Sequence, residues 1–413
     1  MIKYERFTLD NGLTVLVHED ETTPLAAVNI LYDVGSRDEA AEKTGFAHLF
    51  EHLMFEGSEN IEDFDEPLQR AGGESNAFTN NDITNYYDVL PATNLETAFW
   101  LESDRMLSLD INEESLELQR KVVIEEFKEN YLSQPFGDVW HLISDLAYKV
   151  HPYQWPTIGK NLEHIEGFKL NDVKHFFKKY YVPNNAIMVV GGNVKVDQVK
   201  GLSQKWFGDI PKGKPINRKL AAEPPQSEKR ELEIHADVPG DALYKMYHMG
   251  SRNSDNFYVI DLVSDILASG NASILYRRLV KELRFFTEIE AYVTGTTDAG
   301  LLILEGKLVP GAKMKAAEKA LDEELEKFTH ARVSERELLK VKNKQESVTV
   351  FSEVNLLHRA MNLAYYEVLG DANLINTEMD KYLAVTAADV LEHSQNIFKQ
   401  ENSSVIYYYA NKK

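Results

Sequence analysis

The chain contains no cysteine. That absence excludes a disulfide framework, thiol catalysis and thiolate metal sites, and leaves histidine and carboxylate as the side chains able to hold a metal. Positive charge is also in deficit: 45 Lys and Arg stand against 66 Asp and Glu, a formal net charge of −21. A field of that sign repels nucleic acid and anionic lipid, which argues against a polyanion-binding role. No stretch approaches the ~18 apolar residues that a membrane helix needs, and the opening MIKYERFTLDNGLTVLV has no basic segment leading into an apolar run. The expectation is a protein with no membrane span, cytoplasmic by default, or periplasmic if a signal peptide has been removed.

What is present points to two domains. A chain of 413 residues, 43% hydrophobic, has material for two ordinary cores. Strand-forming runs at Leu13 to Val17 and Ala26 to Leu31 are bounded by the turn formers Asn11-Gly12 and Gly35-Ser36, and a helix follows from about Gly45. The segment KGKPINRKLAAEPPQSEKR, residues 212–230, is rich in proline and charge without apolar periodicity, the composition of an exposed connector. It separates residues 1–211 from 231–413. The two halves read as copies. Gly35-Ser36-Arg37 returns 215 positions later as Gly250-Ser251-Arg252, and Asp172-Val173 before the strand Ala186 to Val190 returns 217 positions later as Asp389-Val390 before Val405 to Tyr409.

The chemistry is concentrated in His48-Leu49-Phe50-Glu51-His52. With about 100° per residue and His48 at zero, His52 falls near 40° and Glu51 near 300°, whereas Phe46, Leu49, Phe50, Leu53 and Met54 fall between about 100° and 240°. The polar trio therefore has a helix face of its own. Two imidazoles one turn apart can share a tetrahedral zinc ion, and the carboxylate between them then stands beside the metal, where it can take a proton from water. This is the reversed form of the H-E-x-x-H zinc helix. At the corresponding positions of the second half stand Val263, Ile266 and Leu267, so one metal per chain is expected. A hydrolytic site needs a third protein ligand. The helical run Val122-Val123-Ile124-Glu125-Glu126-Phe127 offers one, with Glu125, Glu126 and Glu129 competing on physical grounds and an exposed surface charge as the ordinary alternative for each.

These features resemble the pitrilysin-like (inverzincin, M16) zinc metallopeptidases, and within them the short two-domain subfamily similar to mitochondrial processing peptidase subunits. The likeness runs through the Leu13-Thr14-Val15 strand, the Gly35-Ser36-Arg37 turn, H-L-F-E-H continuing to Phe55-Glu56-Gly57-Ser58, and the duplication. It implies an α+β fold of two homologous tandem domains, each a largely antiparallel or mixed sheet packed against helices, together forming a clamshell. It also implies zinc-dependent endopeptidase activity on peptides or unfolded polypeptides, with Zn²⁺ as cofactor, Glu51 as general base, and Glu126 joining His48 and His52 as the third ligand. Asn76 and Ala77 match the family's substrate-binding edge strand. The acidic residue that relatives often carry two turns before the third ligand is here Gln119.

One departure bears on assembly. Relatives usually carry in the second domain an Arg followed seven residues later by a Tyr, and those positions are Val280 and Thr287. The expected partners are accordingly a peptide substrate and a related subunit that supplies the missing pair in a heterodimer, with a homodimer as the alternative. The competing function is a non-catalytic assembly subunit, as some relatives in respiratory complexes are.

Overall fold

The computed structural model of the protein describes residues 1–411; positions 412 and 413 of the expected second domain lie outside the described residues. Two compact units result, neither a single stretch of chain. Unit 1 comprises Met1–Asn130, Trp155–Leu220 and Val350–Thr377, and unit 2 comprises Tyr131–Gln154, Ala221–Thr349 and the chain from Glu378.

Unit 1 is built on a six-stranded sheet of β1 (Glu5–Thr8), β2 (Thr14–Glu19), β3 (Leu25–Tyr32), β4 (Glu74–Thr79), β5 (Thr84–Pro91) and β6 (Ala186–Gly192), in the order β1-β2-β6-β3-β5-β4. Only the β2–β6 pair is parallel; the other pairs are antiparallel. The β3 sequence LAAVNILY is buried on both faces after its first residue, as a strand covered on both sides must be. β4, at the edge, alternates between exposed and half-buried residues and leaves one row of backbone groups unpaired within the sheet.

Unit 2 repeats this plan. Its strands β7 (Arg230–Ala236), β8 (Ala242–His248), β9 (Phe286–Val293), β10 (Leu301–Leu308) and β11 (Ser403–Ala410) lie in the order β7-β11-β8-β10-β9, which is the unit 1 order without β1. Again one pair, β7 with β11, is parallel. The repeated Gly-Ser-Arg turns carry the same device in each copy, an arginine buried with an acidic partner. Arg37 meets Asp33 at 2.8 Å and Asp82 at 3.0 Å, and Arg252 meets Glu378 and the Tyr258 hydroxyl.

The halves exchange one helix each. Leu356–Val368, from the second half of the sequence, lays Ala360, Leu363 and Ala364 against Leu16, Ala27, Leu31 and Val189 of the unit 1 sheet. Its counterpart 217 positions earlier, Val139–Ala147, lays Val139, Ile143 and Ala147 against Ala242, Tyr244, Ile303 and Ile406 of the unit 2 sheet.

The connector has no helix or strand before β7, as its composition implies, yet it is pinned rather than loose. Arg218 pairs with Asp33 and Asp38. The Glu223 carboxylate accepts the N–H groups of Lys149, Val150 and His151 at 2.8–2.9 Å, and the Gln226 amide donates to the Ser403 carbonyl at 2.7 Å. Its polar side chains find fixed partners, so lack of regular structure here is not lack of order.

Candidate metal centre

The helix Phe46–Leu53 is short, and its apolar stripe holds it in place. Phe46, Leu49, Phe50 and Leu53 are buried, as is Met54 just beyond it. Phe50 packs against the rings of Phe176 and Tyr181, with centroids 5.2 and 5.0 Å away, and its carbonyl accepts the Tyr86 hydroxyl at 3.2 Å. With that face anchored, His48 and His52 are turned toward Glu126 of the helix Glu113–Phe127, and Glu51 lies beside Thr79 at the end of β4. The latter begins on Asn112, whose side chain accepts the N–H groups of Glu114 and Ser115, and passes at Lys128 into a short π-helical turn, Lys128–Leu132. Glu126 therefore sits where the helical winding changes, a local irregularity that often accompanies functional positions.

The three groups converge. Glu126 Oε2 lies 3.6 Å from His48 Nε2 and 3.4 Å from His52 Nε2, and the candidate ligand atoms all fall within 4.8 Å of one another. Ligands at about 2.0–2.2 Å from a tetrahedral ion stand about 3.4 Å apart. The two carboxylate–imidazole distances are thus those of two edges of such a site, and the histidine rings stand nearly perpendicular, at 79° with centroids 4.8 Å apart. Side-chain exposure rises from 13% at His48 through 24% at His52 to 34% at Glu126, so the centre is closed on the helix side and open on the carboxylate side. Among the described residues no other group of three or more His and carboxylate side chains converges in this way.

The electrostatics suit metal ligation. Burial pushes the His48 imidazolium down to about 4, which leaves the ring neutral with a lone pair to offer at neutral pH. Hydrogen bonding from His52 holds the Glu126 carboxyl below its ordinary value, so it is ionised. Glu51 behaves in the opposite way: burial raises its carboxyl, with Thr79 at the end of β4 pulling against the rise. A carboxylate kept more basic than usual beside the histidines is suited to accept a proton.

The other expected positions are placed as follows. Asn76 and Ala77 lie in the edge strand β4, Asn76 exposed and Ala77 half-buried, with the Asn76 side chain accepting the Ala77 N–H at 2.7 Å. Gln119 is two turns before Glu126, where its amide donates to the Glu56 carboxylate; its Oε1 is buried without a partner among the described residues. A carboxylate does stand beside that position, but it comes from Glu56. In unit 2, Val263, Ile266 and Leu267 are fully buried in the core. Val280 is packed against the same core, and Thr287 is exposed, its hydroxyl bonded to the Lys307 carbonyl. Of the arginines near them, Arg277 is tied to Glu337, and Arg278 to Glu282 and Glu324.

Sequence reasoning missed Thr79 and Glu39. Thr79 is only two residues beyond Ala77 in β4. Glu39 lies in the loop after the Gly35-Ser36-Arg37 turn, and its buried carboxylate reaches the start of the histidine helix. Only the regularity of that turn could have drawn attention to it.

Residues 14–159 match the family model described as Insulinase (Peptidase family M16), and residues 167–345 match the model described as Peptidase M16 inactive domain. The zinc protease PqqE of Helicobacter pylori is 30% identical across 98% of this chain and 92% of its own length. The mitochondrial-processing peptidase subunit beta of Saccharomyces cerevisiae is 28% identical over 49% of this chain and 44% of its own. Among solved structures, a protease from Helicobacter pylori superposes with a TM-score of 0.93 at 29% identity, covering 99% of this chain and 100% of that one.

Proposed function

Because the chain belongs to peptidase family M16, we propose that it is a zinc-dependent endopeptidase acting on peptides or unfolded polypeptides. The observation that carries the reading is the convergence of His48, His52 and Glu126, with the Glu126 carboxylate 3.4–3.6 Å from both imidazole nitrogens and all three ligand atoms within 4.8 Å of one another. These three side chains would hold the metal through two imidazole nitrogens and one carboxylate oxygen. Zinc bound there supplies a Lewis acid that acidifies water and polarises a carbonyl.

The protein's own groups do the rest. Glu51, raised by burial and one residue from His52, takes the proton from the attacking water and returns it to the leaving amine. Asn76 and Ala77 on the free edge of β4 take an extended peptide by main-chain hydrogen bonding, a grip that reads backbone and tolerates many side chains. Thr79 at the end of the same strand lies beside Glu51 and pulls against the rise in its pKa.

The chain carries Val280 and Thr287 where the family pattern has Arg and Tyr. A group that stabilises the oxyanion typically contributes about 10²–10³ in rate. A related subunit supplying both side chains restores that contribution, which makes a heterodimer the working form. The test is hydrolysis of an unstructured fluorogenic peptide by the purified chain, alone and with whatever chain co-purifies from the native source. Cleavage that is abolished by a chelator, restored by zinc and raised by the co-purified chain is the expected result. Full cleavage by a strict monomer removes the partner, and no cleavage under any of these conditions removes the enzyme.

A further inference from the structure

The histidine helix has a weak beginning of its own. Its N-cap is Gly45, which has no side chain to accept the free N–H groups of the first turn. The usual capping residues are barred from that position. Gly45 has a φ of 100°, and a Cβ there would stand 2.8 Å from the Ile158 carbonyl oxygen. A helix of eight residues is too short to persist without outside support, and His48 is only its third residue. Fraying of one turn would therefore release a candidate ligand.

The missing cap comes from elsewhere in the chain. Glu39 Oε2 accepts the Gly45 N–H at 2.9 Å, and Glu39 Oε1 accepts the Ala47 N–H at 2.9 Å. The side chain is buried, and the loop holding it is itself fixed. On one side Arg37 is bound to Asp33 and Asp82; next to it Asp38 is bound to Arg218. Two oxygens thus meet two N–H groups at the end of the helix where a negative group is favoured by the helix dipole.

We propose that Glu39 is a positioning residue of the metal centre: it fixes where the histidine helix starts, and with that the direction in which His48 and His52 present their Nε2 atoms to Glu126. The inference rests on reading that point as a zinc site. Glutamine is the informative replacement, because it keeps the size of the side chain but turns an NH₂ donor toward one of the two N–H groups.

The experiment measures zinc affinity by competition with a chromophoric chelator, on the full-length protein well below its melting temperature. Burial pushes the Glu39 carboxyl up to about 8, so the buffer is alkaline enough to hold the carboxylate form. Wild type is compared with Glu39→Gln, with Glu42→Gln as an exposed neighbour from the same loop, with His48→Ala, and with Ile266→Ala as a variant destabilised in unit 2. Glu39→Gln is expected to weaken zinc binding about 10–100-fold, the range seen when groups that orient metal ligands are removed. Glu42→Gln and Ile266→Ala keep the wild-type affinity. A wild-type protein that binds zinc no better than His48→Ala sinks the zinc reading itself. A wild-type protein that binds zinc well, with Glu39→Gln equal to it or with affinity merely tracking stability across the set, overturns the positioning role. If Glu39→Gln does not fold, amide exchange in metal-free wild type decides. The Gly45 and Ala47 N–H groups exchange as slowly as those of the central strands if Glu39 caps them, and as fast as an open helix end if it does not.

Discussion

The two units use one plan for opposite ends. The helix Phe46–Leu53 and the last eight residues of Phe257–Ala268 are counterparts 215 positions apart, each in a unit whose sheet holds five strands in the same order. In unit 2 the three key positions are Val263, Ile266 and Leu267, fully buried among Phe257, Leu279, Leu304 and Val405. In unit 1 they are His48, Glu51 and His52, half-exposed, with a neutral imidazole and a raised carboxyl. The same place on the fold is thus apolar core in one copy and a partly exposed polar face in the other. A helix with polar residues at three positions where its twin is apolar has a smaller apolar face, and unit 1 holds it by the aromatic cluster around Phe50, the Tyr86 hydroxyl and the Glu39 carboxylate.

That contrast can be broken at matched positions. Glu51 and Ile266 are counterparts, and replacing each should damage a different property. Glu51→Gln is expected to lower peptide turnover by about 10²–10⁴-fold, the usual contribution of a positioned base, while leaving zinc content and melting temperature close to wild type; steady-state rates with metal analysis check it. Ile266→Ala is expected to destabilise by about 2–5 kcal/mol through the cavity it leaves, with catalysis per folded molecule unchanged; urea unfolding measures it. If Ile266→Ala abolished turnover at full folding, or Glu51→Gln unfolded the protein, the division of labour between the copies would be wrong.

The exchanged helices offer a smaller effect. Arg359 on Leu356–Val368 pairs with Asp20 beside β2. The Thr22 hydroxyl, together with the Thr22 N–H and the Arg359 guanidinium, holds the Asp20 carboxyl down at about 2 against an ordinary value of 3.8. The sign is that of a depressed carboxylate: its stabilisation is present above the ordinary value and is lost as pH falls through about 2. Asp20→Asn should therefore cost about 1 kcal/mol at neutral pH after allowance for solvent screening, with the gap to wild type closing in strong acid. A gap that stays constant across that range would show that the contact contributes through packing alone.

Much of this was legible beforehand, for reasons that differ from element to element. The spacing of His48, Glu51 and His52 against Phe46, Leu49, Phe50 and Leu53 specifies a helix with a polar face, and the face is where the wheel puts it. The repeated Gly-Ser-Arg turns foretell the repeated sheet, because each arginine is needed to tie a loop. Choice among Glu125, Glu126 and Glu129 was beyond periodicity and needed the family pattern; in the structure Glu126 faces the histidines while Glu125 pairs with Lys128 at the surface. The helix exchange left no trace in the pattern, since an apolar stripe states that a helix packs, not on which sheet. The Glu39 cap was hidden for a related reason: capping is normally read from the residue next to the helix, and here that residue is a glycine.

The most direct test of the whole account is the zinc stoichiometry of the purified, reconstituted chain set beside that of Glu126→Ala. One tightly held equivalent in the wild type, falling to weak or no retention when the carboxylate is removed, is the expected result. Equal retention by both, or none by the wild type, would contradict the claim that these two imidazoles and this carboxylate form a metal centre.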